Sequence, residues 1–101
     1  MWNGMRPMNI RFHTEPDGEP HIHNHNVTES EVVEALERPL ERIAGRDDSS
    51  IAIGRTRAGR VLKIIYANAR DGDGIFVITA FDLPDKQLRA FKRRQKRRRR
   101  S

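Results

Sequence analysis

Two hydrophobic periods share this chain. Between Val27 and Ile43 the apolar residues Val32, Val33, Leu36, Leu40 and Ile43 recur at the three-to-four spacing of one helical face. Thr28-Glu29-Ser30-Glu31 stands in front of that run as a capping box. In that motif the threonine hydroxyl accepts from the amide three residues on, whose carboxylate reaches back. Val27 and Val32 occupy the positions of a hydrophobic staple. Pro39 disfavours helical backbone at Arg38. The spacing therefore predicts a helix ending at Arg38 and a short second helical turn over Leu40 to Ile43.

After Ser50 the period falls from 3.6 to 2. Ile51 to Arg57 reads as a strand whose far end turns basic, and Ala58-Gly59 as a tight connection. Arg60 to Asn68 is apolar on both faces except at Lys63, as a central strand would be. Residues 70–74 form a loop, Ile75 to Phe81 a buried strand with Thr79 its one polar member, and Asp82 to Asp85 the approach to a last helix docked by Leu88 and Phe91. At the front, Asn9 to Thr14 alternates as a short strand, and Glu15 to Pro20 carries turn chemistry. The expected fold is α+β: an N-terminal strand and helix packed on one face of an antiparallel meander, with a basic C-terminal helix and tail. Residues 1–8 read as a frayed extension, 9–91 as a single domain, and 92–101 as a polybasic tail.

Charge sharpens this picture. Residues 86–101 hold ten Lys or Arg and no acid, whereas residues 1–85 hold ten basic and fourteen acidic residues; the formal +6 is thus +10 on the tail and −4 on the body. Such a tail either grips a polyanion by counterion release, stays solvated, or folds back on the acidic first helix. There is no cysteine, which removes disulfides, thiolate metal sites and a cysteine nucleophile. No apolar run reaches bilayer length and the start has no apolar leader, so the expectation is a cytoplasmic protein without membrane contact.

The candidate chemistry lies in two places. Arg55, Arg57, Arg60, Lys63 and Arg70 gather on the meander with no acid between Asp48 and Asp71, an arrangement suited to phosphate. Lys63 is the most telling member, because a lysine in an apolar strand must snorkel, pair or serve. Arg89, Lys92, Arg93 and Arg94 extend the cationic set into the last helix. Tyr66 either stacks on a base or fills the core, and Thr79 either holds a phosphate oxygen or simply suits a strand. The second place is HIHNH, His21 to His25, whose alternate histidines share a face if the segment is extended. No fourth ligand is signalled, so no metal is assigned. His25, beside the cap, is the candidate for acid–base work or for a structural place at the helix start. No Gly-rich phosphate loop is present and no small-molecule cofactor is expected.

Three stretches resemble a known family. HNVTESEVVEALERP (residues 25–39), IGRTRAGRVLKIIY (residues 53–66) and FVITAF (residues 76–81) are similar to segments of BrnT-like toxins, within the wider RelE-like group and its uncharacterised relatives. The resemblance covers roughly residues 21–94. It implies a helix followed by an antiparallel sheet, and a toxin held in check by a small antitoxin protein. It also implies metal-independent endoribonuclease chemistry on RNA or at the ribosome, by attack of a 2′-hydroxyl on the adjacent phosphate. By motif it carries His25, Arg60, Lys63 and Thr79 as catalytic positions. Asn26 departs from the family's glycine, and the tail beyond Phe91 is more basic than the family requires. The other reading is a non-catalytic nucleic-acid-binding module that uses the basic sheet face and tail.

Overall fold

The computed structural model describes residues 9–69, 72 and 74–100. The extension assigned to residues 1–8 and the basic residue Arg70 lie outside them. Strands β1 (Ile10–Phe12), β2 (Pro39–Ala44), β3 (Ser49–Arg55), β4 (Val61–Asn68) and β5 (Ile75–Asp82) form one sheet in the order β1-β5-β4-β3-β2. Helix α1 spans Glu29–Glu37 and α2 spans Asp85–Arg100. Only β1 is parallel to its neighbour; β2 to β5 are antiparallel throughout. The α+β class and the meander β3-β4-β5 agree with the sequence pattern.

Helix α1 begins as its cap dictates. The Glu31 amide donates to Thr28 Oγ1 at 3.2 Å, and the Thr28 amide donates to Glu31 Oε1 at 3.0 Å. Just before it, His21–His25 form a single 3-10 turn, closed by Asn26 in the left-handed region at φ 58°. Asparagine tolerates that conformation better than most side chains, so it can stand where a glycine would otherwise be needed. Ile22, Val27, Val32, Ala35 and Leu36 pack against Ala52, Leu62, Ile64, Tyr66, Ile75, Val77 and Ala80 on one sheet face. Contact there is close enough that a Cβ on Gly54 would overlap the Ala35 carbonyl.

The other face is not bare, which departs from the two-layer expectation. Ile53, Val61, Leu83 and Phe91 form a second cluster, flanked by Leu40 and Leu88, so α2 covers one end of that face. Residues Leu40 to Ile43 belong to β2 and not to a helical turn. Once Pro39 breaks α1, the chain gains more from pairing Pro39–Ala44 with Ser50–Gly54 than from a further turn with a broken hydrogen-bond ladder. The segment assigned to a tail is the body of α2, which runs without interruption to Arg100.

Candidate nucleic-acid interface

Helix α2 divides its cations between two sides. Phe91 is fully buried and Leu88 half-buried, which fixes the inner face. Arg94 on that side donates from Nε and Nη2 to the two Glu41 carboxylate oxygens, each at 2.7 Å. Arg98 adds a 3.7 Å ion pair to Glu41 and a bond from Nη1 to the Leu40 carbonyl at 3.3 Å. The Glu41 side chain is only 5% exposed, and hydrogen bonds from Arg94 hold its carboxyl below the usual range against the opposing cost of burial. The back-pairing foreseen for the tail thus exists, but with β2 in place of α1. Arg94, expected to contact nucleic acid, is a strut of the helix, with its Nε and Nη2 committed to Glu41. The outer face carries Lys86, Arg89, Arg93 and Lys96, all exposed, with Lys92 beside them. At 1.5 Å per residue these four form a ridge roughly 15 Å long.

Arg60 is committed elsewhere. Its Nε and Nη2 donate to Asp82 Oδ1 and Oδ2 at 2.6 and 3.0 Å, and its Nη1 donates to both Glu31 oxygens at 3.1 Å and to the Asn26 carbonyl at 2.8 Å. Nη2 also reaches the His25 carbonyl at 3.5 Å. Asp82 above all, then Glu31, raise its already high pKa, and its charge is permanent. The carboxyl of Asp82 is lowered by the Arg60 hydrogen bond, and that of Glu31 first by the Thr28 amide and then by Arg60. A guanidinium with two carboxylates has no fork left for a phosphate. Arg60, expected at a catalytic position, is therefore placed as a clamp joining the left-handed turn, the α1 cap and the end of β5.

Three of the other assigned positions border one residue, Phe81. Lys63 on β4 is the register partner of Phe81 on β5, and Ile65 is that of Thr79. Paired residues share a face, so Lys63, Thr79 and Phe81 lie on the side covered at one end by α2. His25, exposed on the 3-10 turn, sets its ring 5.6 Å from that of Phe81. Lys63 Nζ donates to Gln87 Oε1 at 3.2 Å, a neutral partner, and forms no ion pair among the described residues. The Thr79 hydroxyl oxygen is buried and has no hydrogen-bond partner among the described residues. Phe81 is the hub of this patch, and sequence pattern passed over it as one more core residue.

The remaining assignments separate. Tyr66 is 7% exposed within the α1-side core, so it cannot stack on a base. Arg55 is half-buried in a cleft that it shares with Lys92 but also with Asp82 and Asp85. Arg57 is exposed at the hairpin turn, where its amide donates to Glu34 Oε1 at 3.1 Å. Arg89 and Lys92 to Arg93 are exposed on α2. The three alternate histidines do not share one face, because a 3-10 turn has about three residues per turn and rotates His23 away from its neighbours-but-one, whereas the His21 and His25 rings lie 5.4 Å apart. His21 Nδ1 lies 2.6 Å from Glu15 Oε2, and His23 Nδ1 lies 3.2 Å from Glu19 Oε1. Among the described residues no group of three or more histidine, aspartate or glutamate side chains could hold a metal ion. No helix of the described residues is long and apolar enough to cross a membrane. No protein-family model, curated protein or solved structure matches this chain.

Proposed function

We propose that this protein binds RNA, with the phosphate backbone running along the outer ridge of α2 and past Lys63. The observation that carries the reading is the division of α2. Arg94 and Arg98 are spent on Glu41 and hold the helix to β2, which leaves Lys86, Arg89, Arg93 and Lys96 as a fixed, exposed cationic row. A row fixed on a packed helix gives up less conformational freedom on binding than a disordered arm does. Affinity should fall steeply with salt, because each neutralised phosphate releases counterions. Replacing the four ridge residues by glutamine should reduce the slope of log affinity against log salt by roughly three units. An unchanged slope would remove the ridge from the interface and the reading with it.

A second reading is favoured by the convergence of His25, Lys63 and Thr79 around Phe81. In it the domain is a RelE-like toxin and a metal-independent endoribonuclease. His25 takes the proton from a 2′-hydroxyl as its oxygen bonds to the adjacent phosphorus. The bond from phosphorus to the 5′-oxygen breaks, that oxygen takes a proton from solvent, and a 2′,3′-cyclic phosphate is left behind. Lys63 offsets the charge that builds on the phosphoryl oxygens. A small acidic antitoxin would shield the same cations. RNA incubated with the protein and a chelator should gain cyclic-phosphate ends, and His25→Ala and Lys63→Ala should each abolish them. Intact RNA, together with unaffected growth on induced expression, leaves only the binding reading.

A further inference from the structure

β5 outlasts its parallel partner. β1 ends at Phe12, the His13 amide still donates to the Val77 carbonyl at 2.9 Å, and then the chain leaves the sheet. It returns when the His21 amide donates to the His13 carbonyl at 2.8 Å, and the 3-10 turn crosses the strand edge that β1 left open. The consequence is a continuous series of rings. Phe76 and His13 are 6.3 Å apart by ring centroids, His13 and His21 5.8 Å, His21 and His25 5.4 Å, and His25 and Phe81 5.6 Å. The rings are mutually tilted by 55–75°, as edge-to-face neighbours are.

This is not a core. His13 and His25 are exposed, and His21, Phe76 and Phe81 are half-buried. His21 is steadied by Glu15, and the turn bearing His25 by Arg60, so the row is held by polar contacts from behind. Its Phe81 end abuts Lys63, which in turn reaches Gln87 in the first turn of α2. Rings and cations therefore run on from one another. That combination, a cationic track beside a row of flat rings, is what unpaired bases and their phosphates require together. A duplex has its bases stacked on one another and offers the rings nothing. We infer that the Phe76–His13–His21–His25–Phe81 row is a stacking platform for the unpaired bases of single-stranded nucleic acid. The inference rests on the proposed RNA binding and adds the strandedness of the ligand.

The test uses the full chain and labelled oligonucleotides of about 12 nucleotides, a length within the range one small domain engages. Single-stranded RNA, single-stranded DNA of the same sequence and the RNA duplex are compared by anisotropy at one salt concentration. The single strands should bind roughly tenfold tighter than the duplex, the two single strands differing only if the 2′-hydroxyl is also read. His13→Ala with His25→Ala should remove most of that margin while leaving duplex affinity unchanged. His13→Phe with His25→Phe should restore it, although His25→Phe cannot act as a base. The imidazole proton resonances should move with single-stranded RNA and stay in place with polyphosphate, which has no bases. Equal binding of single strand and duplex, or a double alanine variant that keeps the margin, overturns the platform and leaves the charge reading standing. Failure to bind either form overturns both.

Discussion

Replacing Arg60 separates a clamp from a phosphate ligand. The guanidinium is 25% exposed, its Glu31 partner 27% and its Asp82 partner 62%. The Asp82 pair is therefore screened by solvent and contributes at the level of a surface ion pair, below about 1 kcal/mol. The more sheltered bonds to Glu31 and the Asn26 carbonyl are charge-assisted and contribute more. Arg60→Ala should cost about 2–3 kcal/mol, which lowers the melting temperature of a domain this size by roughly 10–20 °C. Arg60→Lys keeps the charge but loses the fork, and should recover less than half. Circular dichroism melts at neutral pH measure both. The effect also carries a pH signature. Both carboxyls titrate below their ordinary values of 4.5 and 3.8, so their contribution is complete above about pH 4.5. It is lost as pH falls through the lower folded values, and the gap between wild type and Arg60→Ala should close in acid. An Arg60→Ala protein that melts within about 3 °C of wild type but no longer binds RNA would refute the clamp.

Other substitutions probe other parts of the fold. Glu41→Ala should cost about 2 kcal/mol and speed amide exchange along α2 beyond Phe91, since Arg94 loses its bidentate partner; the loss should vanish as pH falls below about 4.5 and through the lowered folded value. Phe91→Ala should cost about 3–4 kcal/mol in chemical denaturation by emptying the second core cluster, and an effect under about 1 kcal/mol would show that α2 is held by charge alone. Thr28→Ala should cost about 1 kcal/mol by opening the capping box. Gly54→Ala should prevent normal packing of α1 on β3, seen as loss of the cooperative thermal transition, because the new methyl meets the Ala35 carbonyl.

The elements that sequence predicted well are those whose signal is local. The cap of α1 needs only Thr28 and Glu31, and the meander needs only alternation with a glycine turn near Gly59. β2 was hidden because Leu36, Leu40 and Ile43 keep a helical spacing past Pro39, while the pairing that decides the matter comes from β3. Glu41 carries no mark of burial in the sequence, yet an arginine fifty-three residues along the chain covers it. The site divides in the same way. Lys63 and His25 could be picked out by type and position. Arg60 could be picked out too, but its partners Glu31 and Asp82 lie 29 and 22 residues away, so its occupation could not. The ring row depends on β1 stopping short of β5, which no periodicity reports.

That mismatch between β1 and β5 has a bearing on how the protein is made. The pairing of Ile10 with Ile75 spans the longest separation in the sheet, and parallel closure over such a loop is the costliest step in chain entropy. That cost favours docking of β1 after the hairpins of β3, β4 and β5 have formed. His13 and the turn carrying His21 and His25 are brought to the β5 edge by that last event. The N-terminal strand must therefore wait unpaired until β5 has been made, and the row of rings closes no earlier than the strand that carries Phe76 and Phe81, with the cations of α2 following later still.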